Sequence, residues 1–153
     1  MNIRKAEKKE KDCYLVFNLS NEPGVRENSF NTEKIEYVSH VQWYENAVLD
    51  CNLLFFLVFE EDDFVGQVRF KRKSKNDVEC VISLSLTEQF RGRGIASTFL
   101  DLGIRELKKN WMNIKEIIAE VKSKNIASNK LFEAAGFRRV KTGPVNVYKF
   151  DIE

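Results

Sequence analysis

The chain is poor in the residues that metal and disulfide chemistry require. Its single histidine is His40, and its three cysteines, Cys13, Cys51 and Cys80, lie far apart with no C-x-x-C or Cys/His spacing. Neither a zinc site nor a disulfide framework is indicated, so no metal is expected and a reducing, cytoplasmic setting is. A catalytic cysteine would need His40 as its base, and the alternative is that the cysteines are buried apolar residues. Long apolar runs are also missing. The longest, Leu53 to Phe59, is far too short to cross a bilayer, and the N-terminal stretch is charged from Arg4 onward, unlike a signal peptide. Excess charge of one sign is scarce as well, since 25 Lys and Arg against 23 Asp and Glu leave a net charge of +2. A nucleic-acid scaffold usually carries a concentrated basic face, so neither nucleic acid nor membrane is expected as a partner. The alternating charges of Glu7–Asp12 and the basic run Lys71–Lys75 are read as solvated surface. With no linker, repeat or low-complexity tract, residues 1–153 are read as one domain large enough to bury a core.

What is present alternates between sheet and helix periods. Residues 2–6 read as a strand, and Asp12 as the N-cap of a helix burying Leu15, Val16 and Leu19. Asn21-Glu22-Pro23-Gly24 is expected to break it and lead into a polar loop over 25–31. A second helix spans 36–49, with His40, Trp43, Tyr44 and Ala47 on one face. Leu53–Glu60, Phe64–Lys71 and Val78–Leu86 read as strands of an antiparallel meander. A helix after Gly94 is expected to bury Ile95, Phe99, Leu102 and Leu107. Then come a strand at Ile117–Val121, a helix at Asn125–Ala135 with Gly136 at C′, and strands at Phe137–Thr142 and Val145–Ile152.

The stretch Gln89-Phe-Arg-Gly-Arg-Gly-Ile-Ala96 lies between a strand and a helix. A glycine loop at a helix start is an anion site, because unpaired backbone N–H groups point outward and the helix dipole adds partial positive charge. Gly92 and Gly94 let a phosphate approach those donors, and Arg91 and Arg93 add charge suited to a pyrophosphate. Taken alone, the stretch also reads as a tight turn with solvated arginines. Some thirty residues later come Asn125-Ile-Ala-Ser128 and Gly136-Phe137. Together the two segments resemble the Gcn5-related N-acetyltransferase (GNAT) superfamily, whose glycine loop runs Q/R-x-x-G-x-G/A and whose later helix begins N-x-x-A/S and ends G-F. Gln89, Gly92 and Gly94 match the first pattern; Asn125, Ser128, Gly136 and Phe137 match the second.

The resemblance implies an α/β (α+β) GNAT fold, a mixed, mostly antiparallel sheet of about seven strands flanked by about four helices. It implies acetyl-CoA with its pyrophosphate on the loop of Arg91, Gly92, Arg93, Gly94, Ile95 and Ala96. The pantetheine arm would follow the strand at Leu84 and Leu86, with Asn125, Ser128 and Phe132 beside it. It also implies a small-molecule substrate, and it allows a homodimer.

Three further stretches resemble a narrower subgroup that acetylates the amine of nucleotide-linked amino-dideoxy sugars in bacterial surface-glycan or nonulosonate synthesis. They are Asn21-Glu-Pro-Gly-Val-Arg26-Glu-Asn-Ser29, His40-x-x-Trp43, and Val65-Gly-Gln67-Val-Arg69-Phe70, followed by Ile82-Ser83-Leu84-Ser85. Arg26 and Arg69 suit phosphate or sugar oxygens, Gln67, Ser83 and Ser85 suit hydroxyls, and Trp43 or Phe30 suits a base ring. Each has a plainer reading: Trp43 as core, Arg69 paired with Glu79, His40 as a cap or packing group. Acetylation of protein N-termini or ribosomal proteins, and a non-catalytic acetyl-CoA-binding module, are the alternatives.

For the chemistry, the amides near Leu84–Leu86 are expected to hold the thioester oxygen. His40, or Glu79 through water, is expected to take the amine proton. Many relatives carry a proton-donating tyrosine where this chain has Phe132, which leaves Ser128, Tyr148 or water to protonate the thiolate.

Overall fold

A computed structural model describes residues 1–152. Seven strands form one sheet in the order β1-β2-β3-β4-β5-β7-β6. They are β1 (Asn2–Lys5), β2 (Leu53–Glu60), β3 (Asp63–Lys71), β4 (Glu79–Leu86), β5 (Glu116–Lys122), β6 (Arg138–Lys141) and β7 (Val145–Asp151). All neighbouring pairs run antiparallel except β4 with β5. The helices are α1 (Glu10–Ser20), α2 (Pro23–Asn28), α3 (Tyr37–Leu49), α4 (Ala96–Asn110) and α5 (Ile126–Ala134). This is the mixed seven-stranded architecture expected from the sequence, with five helices rather than about four.

The apolar run of β2 is buried on both faces of the sheet, so it does not alternate. Leu54, Phe56 and Val58 join Val68, Phe70, Ile82 and Ile117 under Phe99, Leu100, Ile104 and Leu107 of α4 and Phe132 of α5. On the other face Phe55 and Leu57 pack against Cys13 and Val16 of α1 and Tyr44 and Ala47 of α3. Those two helices cover only the β2–β3 half of that face. Val81 and Ser83 on β4 and Glu120 on β5 remain exposed beside them.

Two expectations near the N-terminus are corrected. Asp12 is not a cap: α1 begins after Lys9, and Asp12 is buried one turn in. There its carboxylate takes two 2.8 Å bonds from Arg4 and one of 3.0 Å from the Glu7 amide, tying β1 to α1. Pro23 does not lead into a loop but starts α2, because proline is tolerated where a helix's first N–H groups are unpaired. Leu15 and Leu102, expected in the core, are half-buried. At α5 the expected stop holds: Gly136 N–H bonds Glu133 O (3.2 Å) and Phe137 N–H bonds Phe132 O (3.0 Å).

Cys13 and Cys80 are buried and Cys51 is exposed. Burial pushes the Cys80 thiol up to about 12, so it is no nucleophile near neutral pH.

β3 and β4 approach each other closely at Gly66, where an added Cβ would lie 2.2 Å from the Ser85 carbonyl oxygen. Gly66→Ala must therefore push the end of β4 away from β3. The expected loss is about 2 kcal/mol, seen as a Tm lower by about 4–8 °C in thermal unfolding; an unchanged Tm would show that this contact is not a constraint.

Candidate active site

The parallel pairing of β4 with β5 ends at Ile82 and Ala119, and beyond that point the two strands part. Toward β3, Thr87 N–H bonds Val65 O at 2.8 Å, in phase with the facing pairs Gln67/Ser85 and Arg69/Ser83. The peptide groups of Leu84 and Leu86 therefore point the other way, into the gap. A cleft of about 580 Å³ passes through the sheet at this gap. On the α4–α5 side it is lined by Ala96, Ala127, Ser128, Leu131 and Phe132. On the α1–α3 side it meets Arg26, Gln67, Arg69, Ser83, Ser85 and Glu120. Reactants entering from opposite faces of the sheet would meet there.

The glycine loop is built as the sequence implies. Gly92 and Gly94 both take φ +73°, a left-handed conformation that favours glycine. α4 has no side-chain cap, which leaves its first N–H groups unpartnered. Asn125 caps α5, its Oδ1 accepting from Ser128 N at 3.2 Å. Together the open amides of the gap, the uncapped helix start and the glycine loop fit the pantetheine and pyrophosphate of acetyl-CoA. Gln89 lies exposed on a 3₁₀ turn, Glu88–Phe90, outside the cleft lining.

The two loop arginines differ. Arg93 rests over Phe90, 5.2 Å from the ring centre, and among the described residues pairs with no carboxylate. Arg91 instead bonds Glu22 at 2.6 Å and the Leu86 carbonyl at 3.0 Å, while Glu22 also accepts the Glu88 amide at 3.1 Å. The Arg91 side chain therefore fastens the start of α2 to the glycine loop, and its expected role as a phosphate ligand is corrected. From the far side, Lys122 Nζ reaches the Glu27 carbonyl at 3.1 Å. α2 is thus tied down on both sides of the cleft.

Arg26 is corrected in the same sense. Its Nε bonds Ser20 O (2.6 Å), its Nη1 bonds Asn31 O (2.8 Å) and Glu33 O (3.2 Å), and its Nη2 bonds Ser29 Oγ (3.3 Å). It organises the loop after α2 more than it offers donors to a ligand. Arg69 does not pair with Glu79; it faces Ser83 across the strands, 3.4 Å from Oγ. Its guanidinium lies over Trp43 (4.9 Å) and Phe55 (5.5 Å), and among the described residues no carboxylate pairs with it. Burial, and then nearby Arg26, bring its pKa down to about 10, which still leaves it charged at neutral pH. Trp43 is 40% exposed, so it is not simply core, but Arg69 covers one face. It borders an outer groove of about 720 Å³ with Arg69, Glu79 and Ser83. Gln67 donates from Nε2 to Ser85 Oγ at 3.1 Å, and its Oε1 has no partner.

The expected bases are displaced. His40 is 2% exposed and wedged among Phe17, Trp43 and Tyr44. Its Nε2 donates to the Cys13 carbonyl at 3.0 Å, it does not border the cleft, and burial lowers its pKa. Glu79 stands at the start of β4, about 16 Å along the strand from Leu84, beyond the reach of one water. Tyr148, an alternative acid, lies buried on the α5 face, its single O–H within reach of Asn129 Oδ1 (2.6 Å) and Glu133 Oε1 (2.9 Å). Glu120 is the one acidic residue on the cleft wall among the described residues. The register sets it level with Ser83 across the opening strands. Only its place in the alternation of β5, out of phase with Ile117, Ala119 and Val121, hinted at this.

The chain resembles known proteins in part of its sequence and, along nearly its whole length, in its fold. It is 34% identical over 61 residues to an N-alpha-acetyltransferase of Saccharolobus solfataricus, a match spanning 40% of this chain and 36% of that relative's length. Its fold is similar to that of spermidine N-acetyltransferase from Vibrio cholerae, solved with CoA and spermine. That likeness has a TM-score of 0.84 at 17% identity and covers 98% of this chain and 94% of that one. It is also similar to the Campylobacter jejuni N-acetyltransferase PseH, with a TM-score of 0.75 at 15% identity, covering 99% and 98% of the two chains. The family model of the acetyltransferase (GNAT) domain matches residues 1–138, and with the split strands and glycine loop in place, the chain belongs to that acetyltransferase family.

Proposed function

We propose that the protein is an acetyl-CoA-dependent N-acetyltransferase acting on the amine of a nucleotide-linked amino-dideoxy sugar, as in bacterial surface-glycan or nonulosonate synthesis. The observation that carries the anionic acceptor is Arg69. It is a half-buried cation with no carboxylate partner among the described residues, stacked on Trp43 and Phe55 beside the reaction gap. Aromatic faces and one long contact to Ser83 Oγ (3.4 Å) are its partners among the described residues, and a substrate phosphate would supply the opposite charge. A polyamine fits less well, because Arg26, Arg69 and Lys122 border the cleft against Glu120, the one carboxylate on its wall among the described residues.

Acetyl-CoA supplies the acetyl group as an activated thioester. The amides of Leu84 and Leu86 stabilise negative charge developing on its carbonyl oxygen. Glu120, on the acceptor side, takes the amine proton through water. Ser128, beside Phe132 on the other side, passes a solvent proton toward sulfur in place of the absent tyrosine.

Thiol release measured against UDP- and dTDP-linked amino sugars tests the proposal. Arg69→Met is expected to raise KM for the nucleotide sugar by about 10- to 100-fold. Acetyl-CoA affinity should hold, and so should KM for a phosphate-free amine. A uniform loss for every amine would mean that Arg69 only packs.

A second reading rests on the similarity to the archaeal N-alpha-acetyltransferase. Under it the acceptor is a protein N-terminus, and peptides in the same panel should then outperform nucleotide sugars.

A further inference from the structure

Gln67 holds the one buried side-chain polar atom without a hydrogen-bond partner among the described residues, its Oε1. The residue is 3% exposed, and Nε2 is fastened to Ser85 Oγ at 3.1 Å. An orphaned buried acceptor is unfavourable in the ligand-free protein. Yet Gln67 borders the cleft, faces Ser85 across the strand pair, and stands next to the gap at Leu84–Leu86. In the ligand-free protein Oε1 is out of contact with solvent and has no donor among the described residues.

We propose that Gln67 Oε1 accepts one N–H of the acceptor's primary amine and thereby selects primary amines over secondary amines and hydroxyls. This rests on the acetyl-transfer reading, but not on which amine is acetylated. A neutral primary amine carries two hydrogens and one lone pair. If one hydrogen is held by Gln67 and the other is directed toward Glu120, the lone pair is left for the acetyl carbon. Gln67 and Glu120 lie on the same face two strands apart, at least about 10 Å between backbones and more because β4 and β5 have parted there, a span for their side chains and bridging water to cross.

The atoms balance. The nitrogen–carbon bond forms as the carbon–sulfur bond breaks, and the electron pair leaves on sulfur. One amine hydrogen passes as a proton to Glu120, and the other remains as the N–H of the product amide, still facing Gln67. A secondary amine has a single hydrogen, which it must give up, so its product leaves Oε1 unpartnered. A hydroxyl is in the same position. Sites built to bond a substrate N–H reject analogues that lack it, because the protein's own buried group is then stranded.

The test compares wild type with Gln67→Leu, which removes the acceptor and keeps the bulk. The primary-amine probes are a UDP-linked amino-dideoxy sugar and a short peptide with a free N-terminus, each paired with its N-methyl counterpart. For the probe that wild type acetylates, it should prefer the primary amine by at least about tenfold. In the variant kcat/KM for that probe should fall about 30-fold or more and the preference should collapse toward one, with acetyl-CoA affinity by calorimetry unchanged. The ligand-free variant should melt close to wild type, because removal of the unpartnered acceptor offsets loss of the bond from Nε2 to Ser85 Oγ. A lower Tm with the preference intact would overturn the proposal in favour of a structural role. If the leucine variant fails to fold, Gln67→Met, unbranched and adaptable, carries the same comparison. If wild type binds acetyl-CoA but releases thiol with neither amine, the acetyl-transfer reading itself fails, an outcome distinct from a retained preference.

Discussion

Glu120→Gln is expected to lower kcat by about 100- to 1,000-fold, the range typical of losing a positioned general base. Acetyl-CoA affinity and acceptor KM should stay within about threefold of wild type, since the amide keeps the size and polarity of the side chain. The expectation follows from placement. Glu120 is the carboxylate on the cleft wall, level with Ser83 where the strands part. Glu79 lies far along β4, and His40 is closed in behind α1 and α3. Parallel measurement of Glu79→Gln and His40→Gln separates the candidates. Should Glu120→Gln turn over normally while either of the others loses kcat, the base has been misassigned. His40→Gln is instead expected to lower stability, because it disturbs the buried bond to the Cys13 carbonyl and the contacts with Phe17 and Tyr44.

Gly94→Val should abolish tight acetyl-CoA binding while the fold survives. The reason is conformational rather than steric. An added Cβ at Gly94 meets nothing within 4 Å, but the residue sits at φ +73°. A left-handed conformation costs an L-residue about 1–2 kcal/mol, and more when it is β-branched. The loop relieves that strain by turning its amides away from the position a pyrophosphate would take. Losing two charge-assisted hydrogen bonds at about 1.5–3 kcal/mol each weakens binding by about 100-fold or more. Because the loop is exposed and the core beneath α4 does not involve Gly94, Tm should change little. Calorimetry on the folded variant decides it: wild-type affinity would remove the loop from the cofactor site.

The features legible in the chain were those written in short windows. Strand periods, the Gly92/Gly94 loop before an uncapped helix, and the Gly136 stop of α5 each depend on residues a few positions apart. Local sterics and hydrogen bonding decide them, and the structure has them where expected. The family motifs reinforced these signals because they too are local. Pro23 misled because the same residue that ends one helix can begin the next, and only the geometry of the following turn distinguishes the two.

Side-chain function depended on partners far along the chain. The place of Arg91 in the loop implies a phosphate ligand, but Glu22, some seventy residues earlier, holds its guanidinium. Arg26 lost its free donors to carbonyls at Ser20, Asn31 and Glu33. His40 has the intrinsic pKa of a base, yet packing α3 against α1 buried it against Cys13. Glu120 acquired its position from the parting of β4 and β5, a break in pairing that its own strand's sequence does not record. Sequence alone therefore determined the order of elements apart from α2, and the conformation of the glycine loop before α4, because backbone conformation is set by near neighbours. Tertiary structure decided which charged and polar groups remain free to act, because a side chain's availability is settled by whichever distant group reaches it first.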